Sequence, residues 1–197
     1  MLTGYTRDKY EKAIAGAVIE LKDDQFRTIY QTQSDEKGFY SLNVPAGIYP
    51  FLTAVRDYAE QYLEYWCHNI DLSQDRILNI RFDTLEIYGL HVFQVKGAYP
   101  SLMAYFRPMS LEKWKNGDTD ICPDIKSIRV FVNAKEVSIL EQSRVIEFIG
   151  DRRMGAYLIQ VAFPANERKW DRFDVEIRDS IDSFGKATLF SDSHKPA

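Results

Sequence analysis

The sequence predicts an all-β protein made of two antiparallel β-sandwich domains in tandem. Three observations carry this. Short runs alternate apolar and polar residues over most of the chain, the period of strands whose successive side chains face opposite ways. Turn-forming clusters recur between the runs, as at Ser34-Asp35-Glu36-Lys37-Gly38 and Pro45-Ala46-Gly47. The alternation also restarts after Asp83 and is broken by a polar loop at 113–123, which divides the chain into 1–83 and 84–197.

In the first segment strands are expected at 14–21, 26–32, 39–44, 48–55, 62–72 and 77–82. Residues 14–21 are apolar on both faces, and Gly38 is placed to take the left-handed turn position. In the second segment strands are expected at 85–95, 102–106, 125–132, 137–140, 145–148, 157–163, 173–177 and 187–190. Arg152-Arg153-Met154-Gly155 reads as a hairpin tip, and Pro108 as the residue that stops a strand, with Arg107 free to pair with a carboxylate or cap carbonyls. Helix is expected only as single turns at 59–63 and 110–114. Ser110 would N-cap the second, with Trp114 reaching back to the sheet. The polar tail from Ser191 frays.

Composition bounds the function. With 197 residues, 45% of them hydrophobic, the chain buries a sizeable core without staples. A net charge of −4 argues against general nucleic-acid binding, which needs a basic surface. No apolar run is long enough to span a bilayer, so no membrane insertion is expected. Residues 1–12 lack the apolar centre of a signal peptide. Taken as a chain that starts at Met1 this is a cytoplasmic protein, and taken as a shortened chain an extracellular or cell-surface one. Cys67 and Cys122 are too few and too far apart for a disulfide framework, and read as small core residues.

Residues 12–83 resemble a carboxypeptidase regulatory-like domain of the transthyretin-like group. Ile14-Ala15-Gly16-Ala17-Val18 matches the opening strand of that family. Ser34-Asp35-Glu36-Lys37-Gly38-Phe39-Tyr40-Ser41-Leu42 matches its Ser/Thr-Asp-x-x-Gly-aromatic turn, and Pro45-Ala46-Gly47-Ile48-Tyr49 its Pro-x-Gly-x-Tyr entry to the next strand. The chain departs from the family at Asp57-Tyr58, where Gly-Tyr is usual. The resemblance implies a small β-sandwich without chemistry of its own, so it transfers no catalytic residues. From Thr84 onward the pattern is similar only to an Ig-like or carbohydrate-binding-module-like sandwich.

The densest unusual segment is 58–69. If it is extended, Tyr62, Glu64, Trp66 and His68 share one face. Aromatics beside acids and a histidine suit a sugar, with rings against its C–H faces and polar groups on its hydroxyls. The alternative is that this face packs against the second segment, as a sheet apolar on both sides must be covered twice. Trp114 and Trp170 are further candidate stacking residues, the latter within Arg168-Lys169-Trp170-Asp171-Arg172. Asn116, Asp118 and Asp120 alternate as calcium ligands might, but lack the closing glutamate of an EF-hand loop. Nothing ties His68, His91 or His194 to a serine, a metal-ligand spacing or a phosphate loop. The expectation is therefore a non-catalytic module without cofactor that binds a partner protein or its own copy. Carbohydrate binding is the alternative, and a hydrolase the remote one.

Overall fold

A computed structural model describes residues 1–95, 97, 99–164, 167 and 169–191, so Arg168, His194 and the tail beyond Ser191 lie outside the described residues. The first segment holds β1 (Leu2–Arg7), β2 (Val18–Lys22), β3 (Thr28–Gln33), β4 (Phe39–Leu42), β5 (Ile48–Val55), β6 (Tyr65–Asp71), β7 (Arg76–Ile77) and β8 (Ile80–Arg81). The second holds β9 (Leu85–Phe93), β10 (Ser101–Ser110), α1 (Leu111–Lys115), β11 (Ile125–Val132), β12 (Lys135–Val137), β13 (Ile139–Ile149), β14 (Arg152–Ala162), β15 (Arg172–Asp179) and β16 (Phe184–Phe190). The fold is all-β, a layered arrangement of mainly antiparallel sheets.

One 8-stranded sheet, ordered β12-β11-β15-β16-β6-β5-β2-β3, takes strands from both sides of Asp83. Its two halves meet where β16 runs parallel to β6, pairing Ala187 with Trp66, Thr188 with Cys67 and Leu189 with His68. Parallel neighbours need a long crossover; here everything from β7 to β15 supplies it. Two smaller sheets cover the long one, and side-chain alternation puts them on opposite faces. Tyr65, Cys67 and Phe190 point into a core closed by the β4-β1-β7 sheet, with Leu2, Tyr40 and Phe82. Trp66, Ala187 and Leu189 point into the other core, under the β13-β14-β10-β9 sheet, with Ile87, Phe106 and Val175.

The seam is polar where it crosses the first core. The Tyr65 hydroxyl donates to Thr188 Oγ1 (2.6 Å), and that hydroxyl donates to Asp174 Oδ1 (2.6 Å). Arg172 Nη2 donates to the same carboxylate at 2.7 Å. Asp83 ties the junction from the other side: its carboxylate accepts from the Phe184 N–H (3.2 Å) and pairs with Lys9 (3.2 Å). Gly185 lets β9 cross β16 closely, since a Cβ there would lie 2.9 Å from that of Leu85.

Local chemistry explains most elements. Asp35 Oδ1 accepts from the N–H groups of Lys37 and Phe39 (both 2.8 Å), and Gly38 takes φ 76°, the left-handed position expected of it. Asp57 takes φ 47° where the resembled family has glycine, which aspartate tolerates better than most residues. Ser110 caps α1, its hydroxyl accepting from Lys113 N. Both cysteines are buried and unbridged, and burial pushes both thiols up, Cys122 to about 11.

Several expectations are corrected. The polar N-terminus forms β1, because Leu2, Gly4 and Thr6 alternate inward and the Thr6 hydroxyl finds the Ile14 carbonyl at 2.7 Å. The strand expected at 14–21 begins only at Val18. Residues 59–63 make no helical turn; the Glu60 and Gln61 N–H groups converge on the Asp57 carbonyl, and Ala59 takes φ 61°. Residues 137–140 divide between β12 and β13, and 145–148 is the end of β13. Arg152–Ala162 is β14, so the hairpin tip falls at Gly150-Asp151 instead. Pro108 lies inside β10: pairing with β14 runs to Phe106, while β9 continues past Pro108, which therefore ends one ladder but not the strand. Arg107 pairs with the half-buried Glu147 at 2.7 Å.

Thr188→Val leaves the Tyr65 hydroxyl without its acceptor and removes one of the donors to Asp174, which keeps its hydrogen bond from Arg172. The expected loss is about 1–3 kcal/mol in urea unfolding; an unchanged midpoint would show that the network contributes nothing to joining the halves.

Candidate ligand-binding cleft

The β13-β14-β10-β9 sheet is narrower than the sheet it covers. Its edge strand β9 lies over β16 and reaches only the near side of β6. Beyond that edge, the face carrying Phe51, Trp66 and His68 opens into a cleft of about 570 Å³, bounded on the β9 side by Glu86 and Tyr88. This is within the roughly 300–1,000 Å³ range of small-molecule sites.

Trp66 is the hub. It is only 8 % exposed, and its Nε1–H donates to Glu86 Oε1 at 2.8 Å. Phe26 stacks on it at 5.3 Å between ring centroids and His68 at 5.9 Å, while Tyr88 meets it edge-on at 5.4 Å. Phe26 reaches this position from the β2–β3 hairpin tip. Asp23 Oδ1 accepts from the Gln25 and Arg27 N–H groups (3.0 and 2.9 Å), and the tightly wound loop holds Phe26 at φ 62°. A bulky side chain is strained there. The rim therefore stores strain in order to lay an aromatic ring over Trp66.

Of the acids of the cleft, Glu86 is buried, Glu64 half-buried and Asp24 exposed. Glu86 comes from the start of β9 and is 2 % exposed; its Oε2 accepts from the Glu64 N–H at 3.3 Å. Burial, reinforced by the nearby Glu64 carboxylate, pushes Glu86 up to about 7 despite the opposing Trp66 hydrogen bond. Burial also raises Glu64. His68 moves the other way, down to about 4 by burial alone, so it is neutral at ordinary pH. Its Nε2 is buried with no hydrogen-bond partner among the described residues.

Of the residues expected from sequence, Glu64, Trp66 and His68 come together. Tyr62 does not join them, because regular alternation starts only at Tyr65; its ring packs edge-on against Phe82 at 5.4 Å instead. Trp170 packs against Phe173 at 6.4 Å, on the second core. Trp114 stands exposed on α1, beside a smaller hollow that shares Tyr58 and Met109 with the cleft. Asn116 is the C-cap of α1, Asp118 pairs with Lys113 at 3.5 Å, and Asp120 Oδ1 accepts from the N–H groups of Cys122 (3.0 Å) and Gly155 (3.1 Å). Each is thus used singly, and no group of three metal-ligating side chains occurs among the described residues. Phe26, Phe51, Glu86 and Tyr88 were missed. Only Glu86 carries a signal in sequence, as an acid between Leu85 and Ile87.

No family model matches the chain, and no curated protein does; the likeness of residues 12–83 to the carboxypeptidase regulatory-like domain stays a resemblance. Several solved structures are similar to this chain at low values. A DUF3823 family protein from Bacteroides ovatus is 11% identical, with a TM-score of 0.35 over 96% of this chain and 97% of its own. BcpA, the major pilin subunit of Bacillus cereus, is similar in its D312A form at 11% identity and a TM-score of 0.31, over 95% of this chain; the chain spans about 66% of that pilin. The Bacteroides ovatus mixed-linkage glucan utilization locus protein SGBP-B, in complex with a mixed-linkage heptasaccharide, is 9% identical with a TM-score of 0.27, over 96% of this chain and 43% of its own. At these values the likenesses carry no argument about this chain.

The raised carboxyl makes a pH prediction. Between pH 4.5 and about 7 folded Glu86 holds a proton that the unfolded chain has released. The stability from this group is present below that window and is lost as pH rises through it, by up to about 3 kcal/mol. Urea midpoints measured from pH 4 to 8 should fall across the window in the native chain and fall less in Glu86→Gln; parallel curves would place the titrating group elsewhere.

Proposed function

We propose that the chain is a non-catalytic binding module that takes a carbohydrate in the cleft around Trp66. The observation that carries this is the meeting of Phe26, Trp66 and Tyr88 with Glu64, Glu86 and neutral His68 in one open cavity. Sugar rings present apolar C–H faces to aromatic rings and hydroxyls to acceptors, and this wall alternates the two. Tyr88 and Phe26 offer open ring surface, whereas Trp66 is walled in and sets the positions of the others. A hydrolytic role is less well supported, because both Glu86 oxygens already accept hydrogen bonds from Trp66 and Glu64, which suits orientation rather than proton transfer. The division at 83/84 is part of the same proposal: each segment contributes most of one core, with Trp66 and Phe190 crossing to the other, and the cleft lies where their shared sheet leaves its cover.

Tryptophan fluorescence titrated with a panel of oligosaccharides tests the assignment. Tyr88→Ala, with an unchanged circular dichroism spectrum, should weaken the best ligand by about threefold to tenfold. A silent panel, or a ligand indifferent to Tyr88, rejects it.

A specific observation also favours self-association. The outermost strand of the smaller sheet, β13, is 11 residues long, leaves one edge unpaired and exposes Leu140, Ile146 and Phe148, the last at 72 %. A long open edge that carries exposed apolar side chains, here between Glu141, Arg144 and Glu147, offers a place for another chain to pair. Sedimentation should show a concentration-dependent dimer that Phe148→Lys abolishes; a monomer at millimolar concentration removes this reading.

A further inference from the structure

The cleft does not end at Tyr88. Tyr58 and Met109 line both it and the smaller hollow of about 120 Å³, so the two cavities form one groove pinched between these side chains. The far wall of the hollow is Trp114, which at 56 % is the exposed tryptophan of the described residues. Its position is built. Ser110 caps the short helix that carries it, and Lys115 Nζ donates to the Glu60 carbonyl at 2.6 Å, tying that helix to the loop bearing Tyr58. The loop is held in turn by Asp57, whose carbonyl gathers the Glu60 and Gln61 N–H groups (3.1 and 3.0 Å). Two aromatic side chains distant in sequence thus face one hollow from separately fixed supports.

The charge of the groove is one-sided. Asp24, Glu64 and Glu86 line the cleft, and among the described residues no lysine or arginine lines either cavity. Two cations lie against rings of the wall, Lys22 on Phe26 and Arg107 on Tyr88, and both are already paired, with Glu20 (2.6 Å) and Glu147 (2.7 Å), while Lys115 beside the hollow is held by the Glu60 carbonyl. An anionic ligand would find carboxylates and no free countercharge.

Resting on the carbohydrate-binding reading, we infer that the ligand is an uncharged linear oligosaccharide, with one part in the Trp66–Tyr88 cleft and the next across Tyr58 against Trp114, and that acidic glycans are excluded. Length matters in this geometry because a short oligosaccharide can lie in the larger cleft without reaching Trp114. A second unit held on the same chain adds its contacts at little further cost in association entropy.

Calorimetry on the intact chain with cello-, manno- and xylo-oligosaccharide ladders, and with oligogalacturonate as the acidic probe, tests this. For the neutral ladder that binds, affinity should rise about tenfold from disaccharide to hexasaccharide. Trp114→Ala, folded by circular dichroism, should erase that rise and keep the disaccharide affinity; Trp114→Phe should restore most of it. Oligogalacturonate should not bind. A flat ladder, a rise that survives Trp114→Ala, or oligogalacturonate binding as tightly as the neutral glycans overturns the inference. If disaccharide binding still depends on Tyr88 in that case, the cleft keeps its assignment and only the extended groove falls. If no neutral ladder binds, both fall.

Discussion

Everything in this molecule depends on the parallel pairing of β6 with β16. It is the contact by which a strand from each half becomes part of one sheet, and it forces both strands to serve two cores. In β6, Tyr65 and Cys67 fill the first core while Trp66 fills the second; in β16, Phe190 goes one way and Ala187 and Leu189 the other. Trp66, Cys67, Ala187, Thr188 and Leu189 are buried along the pairing, and charge appears only beyond it, at Lys186 and Asp71. The polar groups that do sit there, Tyr65, Thr188, Asp174 and Arg172, are acceptable because they satisfy one another.

The cleft follows from the same arrangement. Two small sheets on opposite faces of a long one cannot cover it completely, and part of each face must emerge. On the face that carries Trp66, the exposed part is not left to water. The hairpin tip folds Phe26 down at the expense of a strained backbone, Lys22 lies 4.7 Å from its ring, and Glu86 reaches across to the indole. Burying an acid costs free energy unless it is well bonded. Here the cost appears as a carboxyl that stays protonated to about pH 7, in the wall of a cavity.

Much of the fold was legible because strand period and turn chemistry are local. Ile48–Val55 and Ile125–Val132 match the expected bounds, and Asp35 and Gly38 behave as their turn demands. β1 escaped because its inward residues include Gly4 and Thr6, whose burial depends on the distant carbonyls of Leu78 and Ile14 rather than on hydrophobicity. The site was legible only along β6 and the residue before it, where Glu64, Trp66 and His68 share a face by period alone. Phe26, Phe51, Glu86 and Tyr88 join them through sheet order and a sheet-to-sheet crossing, and no spacing in the sequence encodes either. Tyr62 shows the converse error: period was extended past the point where the Leu63 N–H leaves the ladder for the Asp83 carbonyl.

Stability and binding are consequently not separable at Glu86. The residue lies one position from Leu85, whose close approach to Gly185 fixes where β9 crosses the long sheet. Its two oxygens then join β9 to β6 through the Trp66 indole and the Glu64 backbone. A shift of β9 along the sheet would move Tyr88 and Glu86 together relative to Trp66 and reshape the cavity. A rigid junction between the halves is therefore what a preorganised site at this place requires, since a wall free to slide would have to be ordered by the ligand itself.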